Sequence, residues 1–132
     1  RGYKNSFELL KKIEEAELSS KAKFFFSENE KIAEIQWFLC EHYNEKIFLK
    51  KLSEKFFLSE AYLFELFKKN TGTTILNFIK ELRMYKAVEL LQSSEMSVKQ
   101  IAEETGYADA GYFNKLFRQK YECTPDQFRK SL

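Results

Sequence analysis

The chain repeats itself. Leu49-Lys50-Lys51-Leu52-Ser53 is echoed 49 positions later by Val98-Lys99-Gln100-Ile101-Ala102. Leu63-Phe64-Glu65-Leu66-Phe67-Lys68-Lys69 is echoed 50 positions later by Phe113-Asn114-Lys115-Leu116-Phe117-Arg118-Gln119. The offset grows by one, so the second copy holds one extra residue between its two segments. Such self-similarity means one supersecondary unit built twice, which constrains the fold more than any local propensity does.

The unit is helical. The 132 residues include only 4 Gly and 1 Pro, too few turn-formers for an all-β domain of this size. Leu63, Leu66 and Phe67, and likewise Phe113, Leu116 and Phe117, recur at helical spacing. In copy one a short helix is expected over about 49–55. Ser59 then caps a helix to about Asn70, stopped by Gly72. In copy two, Ser97 with Gln100 forms a capping box for a helix to about Glu104. Gly106 makes the turn, and Asp109 caps a helix to about Tyr121. Between the copies a long helix is expected over about 74–92. It carries one apolar stripe of Ile75, Phe78, Ile79 and Leu82, and a second, rotated stripe of Met84, Ala87, Val88 and Leu91. A helix needs two such stripes when it is held between two small lobes. Thr124-Pro125-Asp126-Gln127 opens a last helix, with Thr as N-cap and Pro at the first position.

Upstream, Ser27-Glu28-Asn29-Glu30 has the form of a capping box and predicts a helix from Glu28 to about Tyr43, buried through Ile32, Ile35 and Phe38 or Leu39. Before it, Asn5 or Ser6 starts a helix over about 7–18, Ser19 to Lys23 reads as a linker, and Phe24-Phe25-Phe26 must be buried.

Composition bounds the function. Hydrophobic residues at 44% and charged residues at 32% describe a globule, not a disordered chain. One His and two Cys (His42, Cys40 and Cys123) cannot by themselves make a four-ligand zinc site or a disulfide scaffold. No apolar run approaches the roughly 20 residues of a membrane span. No phosphate-cradling glycine loop, zinc-protease motif or nucleophile elbow is present, so no catalytic residue, metal or cofactor is expected. The absence of a signal-peptide pattern points to a cytoplasmic protein, and the start at Arg1 to a piece of a longer one. The net charge of +2 does not announce nucleic acid; a DNA-binding role needs local segregation of basic residues.

Two short helices joined by a tight connection, the second well capped, form a helix-turn-helix. Alone that signal is weak, because helical hairpins are common. Two copies around a linking helix are far more specific, and the ordered residues carry a resemblance. Leu58-Ser59-Glu60-Ala61-Tyr62-Leu63, Phe67-Lys68-Lys69-Asn70-Thr71-Gly72, Arg83 with Lys86-Ala87, Ile101-Ala102-Glu103-Glu104-Thr105-Gly106-Tyr107, Tyr112-Phe113, Phe117, and Thr124-Pro125 with Phe128-Arg129 together resemble the C-terminal DNA-binding domain of the AraC/XylS family of bacterial transcription regulators.

The resemblance covers about residue 30 onward and implies an all-α domain of about seven helices. It divides into a first lobe (30–73), a linking helix (74–93) and a second lobe (94–132). Residues 1–29 would be a helical extension or linker from an upstream regulatory domain. The two recognition helices would enter successive major grooves, about 34 Å apart. The implied partners are double-stranded DNA, RNA polymerase, and a second protomer held through an upstream domain; the implied role is sequence-specific activation of transcription.

Exposed positions near the start of each recognition helix would face base edges: Ala61, Phe64 and Glu65 in the first lobe, and Ala110, Gly111, Asn114 and Lys115 in the second. Asn114 suits adenine, Lys115 guanine, and Ala110 a thymine methyl. Ser59, Lys68, Lys69, Arg83, Lys86, Arg118, Lys120 and Thr124 are the expected phosphate contacts. Arg83 has a competing role in pinning the lobes together. The first-lobe set is unusual, since Glu65 repels phosphate and Phe64 offers nothing polar. Two readings stay open: apolar and cytosine-directed readout, or a lobe that reads few bases and uses Phe64 against a protein partner. In the second reading the chain is an interaction module. Acidic residues are expected largely on the bracing and linking helices, leaving the recognition helices basic.

Overall fold

The computed structural model describes residues 26–132, so the expected helix over 7–18 and the linker after it lie outside the described residues. Among the described residues there are seven α-helices and no strand: α1 (Glu30–His42), α2 (Leu49–Lys55), α3 (Glu60–Thr71), α4 (Ile75–Ser93), α5 (Val98–Glu104), α6 (Ala110–Tyr121) and α7 (Pro125–Lys130).

Local chemistry sets most of the helix ends. The side chains of Ser59, Thr74, Ser97 and Thr124 each accept from the backbone N–H three residues on, and Ser97–Gln100 and Thr124–Gln127 close full capping boxes. Asp109 accepts from Gly111 N and Tyr112 N. Gly72 ends α3 in the left-handed conformation at φ 78°.

One start differs from expectation. The Ser27–Glu30 box does not form, and α1 begins at Glu30 rather than Glu28. Asn29 is the cap and accepts from Ile32 N at 3.1 Å, while Ser27 Oγ accepts from Asn29 N. Ser27 is drawn away because its own N–H donates to Gln36 Oε1 at 2.8 Å, a side chain that is fully buried. An orphaned buried amide is expensive, so its partner wins over a cap on the surface.

The two stripes of α4 go to different cores. Ile75, Phe78, Ile79 and Leu82 join Ile32, Ile35, Leu39, Leu52, Leu63 and Phe67 in the first lobe. Met84, Ala87, Val88 and Leu91 join Ile101, Ala102, Phe113, Phe117, Tyr121 and Phe128 in the second. Phe67, Phe78, Phe113, Phe117 and Phe128 are fully buried, each contributing roughly 1.5–3 kcal/mol of burial free energy. Edge-on pairs such as Phe67–Phe78, at 5.5 Å, fix their geometry. Of the upstream Phe triplet, Phe26 stacks on Trp37 at 4.6 Å; Phe24 and Phe25 lie outside the described residues.

Two turns carry left-handed residues that are not glycine. Phe57, between α2 and α3, has φ 58° and is 90% exposed; its counterpart in the repeat is Gly106, at φ 100°. Glu122, after α6, has φ 60° where the first lobe uses Gly72.

Candidate nucleic-acid interface

Each helix-turn-helix presents the N-terminal half of its second helix. On α3, Leu63 and Phe67 turn inward while Ala61, Tyr62, Phe64 and Glu65 are exposed. On α6, Phe113, Leu116 and Phe117 turn inward while Gly111, Tyr112 and Lys115 are exposed and Ala110 and Asn114 are half-buried. The apolar period fixes which residues face out, because positions three and four apart share one face.

The two exposed faces differ in charge. The α6 helix carries Lys115, Arg118 and Lys120 with no acidic side chain, whereas on α3 Glu60 and Glu65 offset Lys68 and Lys69. The expectation that both recognition helices are basic thus fails for the first lobe. Nor is its bracing helix acidic: α2 carries Lys50, Lys51 and Lys55 against Glu54 alone.

The expected base-facing residues stand as follows. Lys115 is exposed and pairs with no carboxylate among the described residues. Asn114 Nδ2 donates to the Ala110 carbonyl at 2.9 Å, so one amide hydrogen is engaged within its own helix. Gly111 is exposed, and a Cβ there would sit 3.1 Å from the capping Asp109 Oδ1. Phe64 is half-exposed, with Lys68 Nζ 6.0 Å from its ring centre. Phe64 and Glu60 also border a crevice of about 110 Å³ with Leu49, Ile75 and Leu76.

The expected phosphate contacts divide. Lys68, Lys69 and Arg118 are exposed. Ser59 and Thr124 hold their hydroxyl oxygens on Tyr62 N and Gln127 N as caps. Lys86 pairs with Glu89 at 3.2 Å.

Two others of the set tie separate elements of the fold together. Lys120 Nζ sits 2.8 Å and 3.0 Å from the two Glu81 oxygens, which ties α6 to α4 and takes up the charge meant for phosphate. Arg83 Nε donates to the Tyr43 carbonyl at 2.8 Å and Nη2 to the Glu45 carbonyl at 3.0 Å, while the guanidinium lies 5.1 Å from the Tyr107 ring centre. Arg83 therefore pins the turn after α1 in the first lobe to the turn before α6 in the second. Gly106 is part of the same arrangement: a Cβ there would lie 3.0 Å from Arg83 Cζ, Arg83 Nε and Asn44 Cα.

Sequence reasoning missed two organising residues. Arg129 donates to the carbonyls of Met96, Ser94 (3.2 Å) and Leu91 (3.4 Å), closing the C-terminal end of α4 onto α7. Tyr112, exposed in the first turn of α6, meets Tyr107 edge-on at 6.1 Å. Tyr112 was findable, since it falls off the Phe113–Leu116–Phe117 stripe yet is aromatic. Arg129 was not, because its partners lie more than 30 positions away.

No group of His, Cys, Asp or Glu among the described residues is arranged to hold a metal ion. Burial pushes the Cys40 and Cys123 thiols above their ordinary value, against any reactive thiolate role. No helix among the described residues is long and apolar enough to cross a membrane.

Comparison with known proteins places this arrangement. A helix-turn-helix domain family model matches residues 52–131. The transcriptional activator RhaS of Salmonella schwarzengrund is 33% identical over 76% of this chain and 36% of its own length. The Msm operon regulatory protein of Streptococcus mutans is 28% identical over 91% of this chain and 43% of its own. The chain thus spans less than half the length of these relatives. Among solved structures, the C-terminal domain of the two-component response regulator yesN from Fusobacterium nucleatum is 40% identical. It has a TM-score of 0.69 and covers 72% of this chain and 93% of that one. The C-terminal domain of AraT, a response regulator from Geobacillus stearothermophilus, has a TM-score of 0.74 at 27% identity, covering 77% and 85%. This is a family of DNA-binding transcription regulators and not one of enzymes, and with two helix-turn-helix lobes locked around a shared linking helix, the chain belongs to it, the AraC/XylS family.

Proposed function

We propose that this domain binds a specific duplex DNA site through α3 and α6, set in successive major grooves, and that it activates transcription in a bacterial cytoplasm. The observation that carries the reading furthest is the outward face of α6, where Lys115 and Arg118 are exposed with no acidic neighbour on the helix. Lys115 donates to guanine O6/N7 and Ala110 touches a thymine methyl. Gly111 lets the backbone come close to the bases. Asn114 reads adenine once its amide leaves the Ala110 carbonyl. Lys68, Lys69, Arg118, Lys86 and the hydroxyls of Ser59 and Thr124 contact phosphates and set the register. Arg83 and Lys120 act instead by holding the lobes in place.

The second lobe carries most of the base discrimination. Ala61, Phe64 and Glu65 contribute less, because the charges on α3 cancel. A second reading for the first lobe follows from Phe64, half-exposed beside an apolar crevice: this surface contacts RNA polymerase or another protomer. Residues 1–29 connect to an upstream regulatory domain, through which the full-length protein dimerises. The test is selection of bound sites from random duplexes. Two conserved half-sites about one helical turn apart are expected; absence of any enriched site rejects specific DNA binding.

A further inference from the structure

Where the C-terminal half of α1 meets α2 lies a groove of about 200 Å³. Its base is apolar, built from Phe38, Ile47 and the buried Leu52, with Phe48 exposed in its wall. Lys46, Lys51 and Lys55 stand around it, all three exposed. Lys51 and Lys55 are one helical turn apart and share a face of α2.

The three ammoniums lie against rings and not against carboxylates. Lys46 Nζ and Lys51 Nζ are 6.0 Å and 5.9 Å from the Phe48 ring centre, and Lys55 Nζ is 5.1 Å from that of Phe38. None of them forms an ion pair among the described residues. Glu45, the acidic residue of the lining, is taken by His42 Nδ1 at 2.7 Å. An exposed ring holds an ammonium only weakly, so these charges stay available to carboxylates. The ring faces are already in use, by the lysines on Phe48 and by His42 on Phe38 at 4.4 Å, which disfavours a stacked planar ligand. What fits is a peptide with an apolar anchor and several acidic side chains.

The chain holds such a sequence upstream. Ile13-Glu14-Glu15-Ala16-Glu17-Leu18 sets carboxylates between two aliphatic side chains. Ser27 N donates to Gln36 Oε1 and Phe26 stacks on Trp37, so the described chain starts against the middle of α1, next to Phe38. Residues 19–25 separate Leu18 from Phe26. Extended, they reach up to roughly 25 Å, against about 20 Å for the whole of α1. We infer that the acidic segment 13–18 docks in the Lys46–Lys51–Lys55 groove of its own chain, with an aliphatic side chain in the apolar base and its glutamates on the lysines. The contact fixes the direction from which the upstream chain meets the first lobe, and it does not depend on the DNA-binding reading.

The test is amide hydrogen exchange on the whole chain, read over residues 13–18. A lone segment this short holds no protection of its own. Docked, these amides should exchange roughly tenfold more slowly than in the Lys51→Glu, Lys55→Glu variant, because exchange waits for undocking. Adding Glu14→Lys and Glu15→Lys to that variant swaps the charges and should restore the protection. Thermal unfolding confirms that each variant is folded, and Lys51→Gln, Lys55→Gln serves if charge reversal unfolds the lobe. Protection left unchanged by the lysine variants overturns the inference. So does protection that rises with protein concentration, which gives the groove to a second copy. Exchange of residues 13–18 at free-chain rates in the wild type also overturns it, and leaves the groove to an acidic segment of another protein.

Discussion

The Arg83 guanidinium lies against the Tyr107 ring, 5.1 Å from its centre, while two of its N–H groups donate to carbonyls of the opposite lobe. One side chain thus spans three elements: the turn after α1, the linking helix, and the turn that launches α6. Tyr107 in turn touches Tyr112 on the recognition helix, so the aim of α6 depends on a contact with the first lobe.

Replacing Arg83 with Ala should lower stability by about 1–3 kcal/mol, because two carbonyls lose charged donors and an aromatic face loses its cation. Arg83→Lys should recover little of this, since an ammonium cannot bond two separated carbonyls and stack at once. Denaturant midpoints for both variants test the point; a lysine variant equal to wild type contradicts it.

The turn residues give opposite signs. Gly106→Ala places a methyl 3.0 Å from the Asn44 backbone at φ 100°, and should destabilise by more than about 1 kcal/mol. Glu122→Gly relieves a left-handed glutamate at φ 60° and should stabilise by about 1 kcal/mol. Thermal unfolding of the pair should shift in opposite directions.

At the DNA-facing surface, Lys115→Ala should cost about 1–3 kcal/mol of specific binding and relax preference at a single position. Phe64→Ala should cost less. Quantitative binding to the selected site and its point variants decides this; a larger loss from Phe64→Ala would move base discrimination to the first lobe.

The Lys120–Glu81 pair is about three-quarters buried on each side. A double-mutant cycle with Lys120→Met and Glu81→Gln should return a coupling of roughly 0.5–1 kcal/mol, given the remaining solvent access. Zero coupling in stability would return Lys120 to the phosphate contacts.

Stability should also fall in alkali. Burial raises the Cys123 thiol above 9.0, and burial raises the Tyr107 phenol above 10.0 against the opposing pull of Arg83. Both groups are neutral when protonated, so their contribution is complete below the unfolded values and is lost as pH rises through the folded ones. Cys40 is raised by burial in the same way, so chemical denaturation from pH 7 to 11 should show a decline starting near pH 9, delayed when both thiols are removed in the Cys40→Ala, Cys123→Ala double variant.

Much of the fold was legible because the signals are local. Ser97–Gln100 and Thr124–Gln127 satisfy helix ends within four residues, and the two stripes of α4 sort to two cores by rotation alone. The α1 start was misread because Ser27 answers to Gln36, nine residues away. In the interface, burial period separated Lys115 from Leu116 correctly. It could not show that Lys120 meets Glu81, 39 positions back, or that Arg83 reaches Tyr43, 40 positions back. Those pairings exist only once both lobes have docked on α4.

The double-striped α4 has a consequence for the operator. An α-helix turns 100° and advances 1.5 Å per residue. One residue inserted between Leu82 and Met84 would swing the second lobe by more than a quarter turn while barely lengthening the protein. DNA turns by only about 35° per base pair, so no change of a base pair or two in the half-site spacing could follow such a swing. Protein and promoter are therefore matched in angular phase more strictly than in length, and the spacing between half-sites should tolerate sequence change far better than insertion.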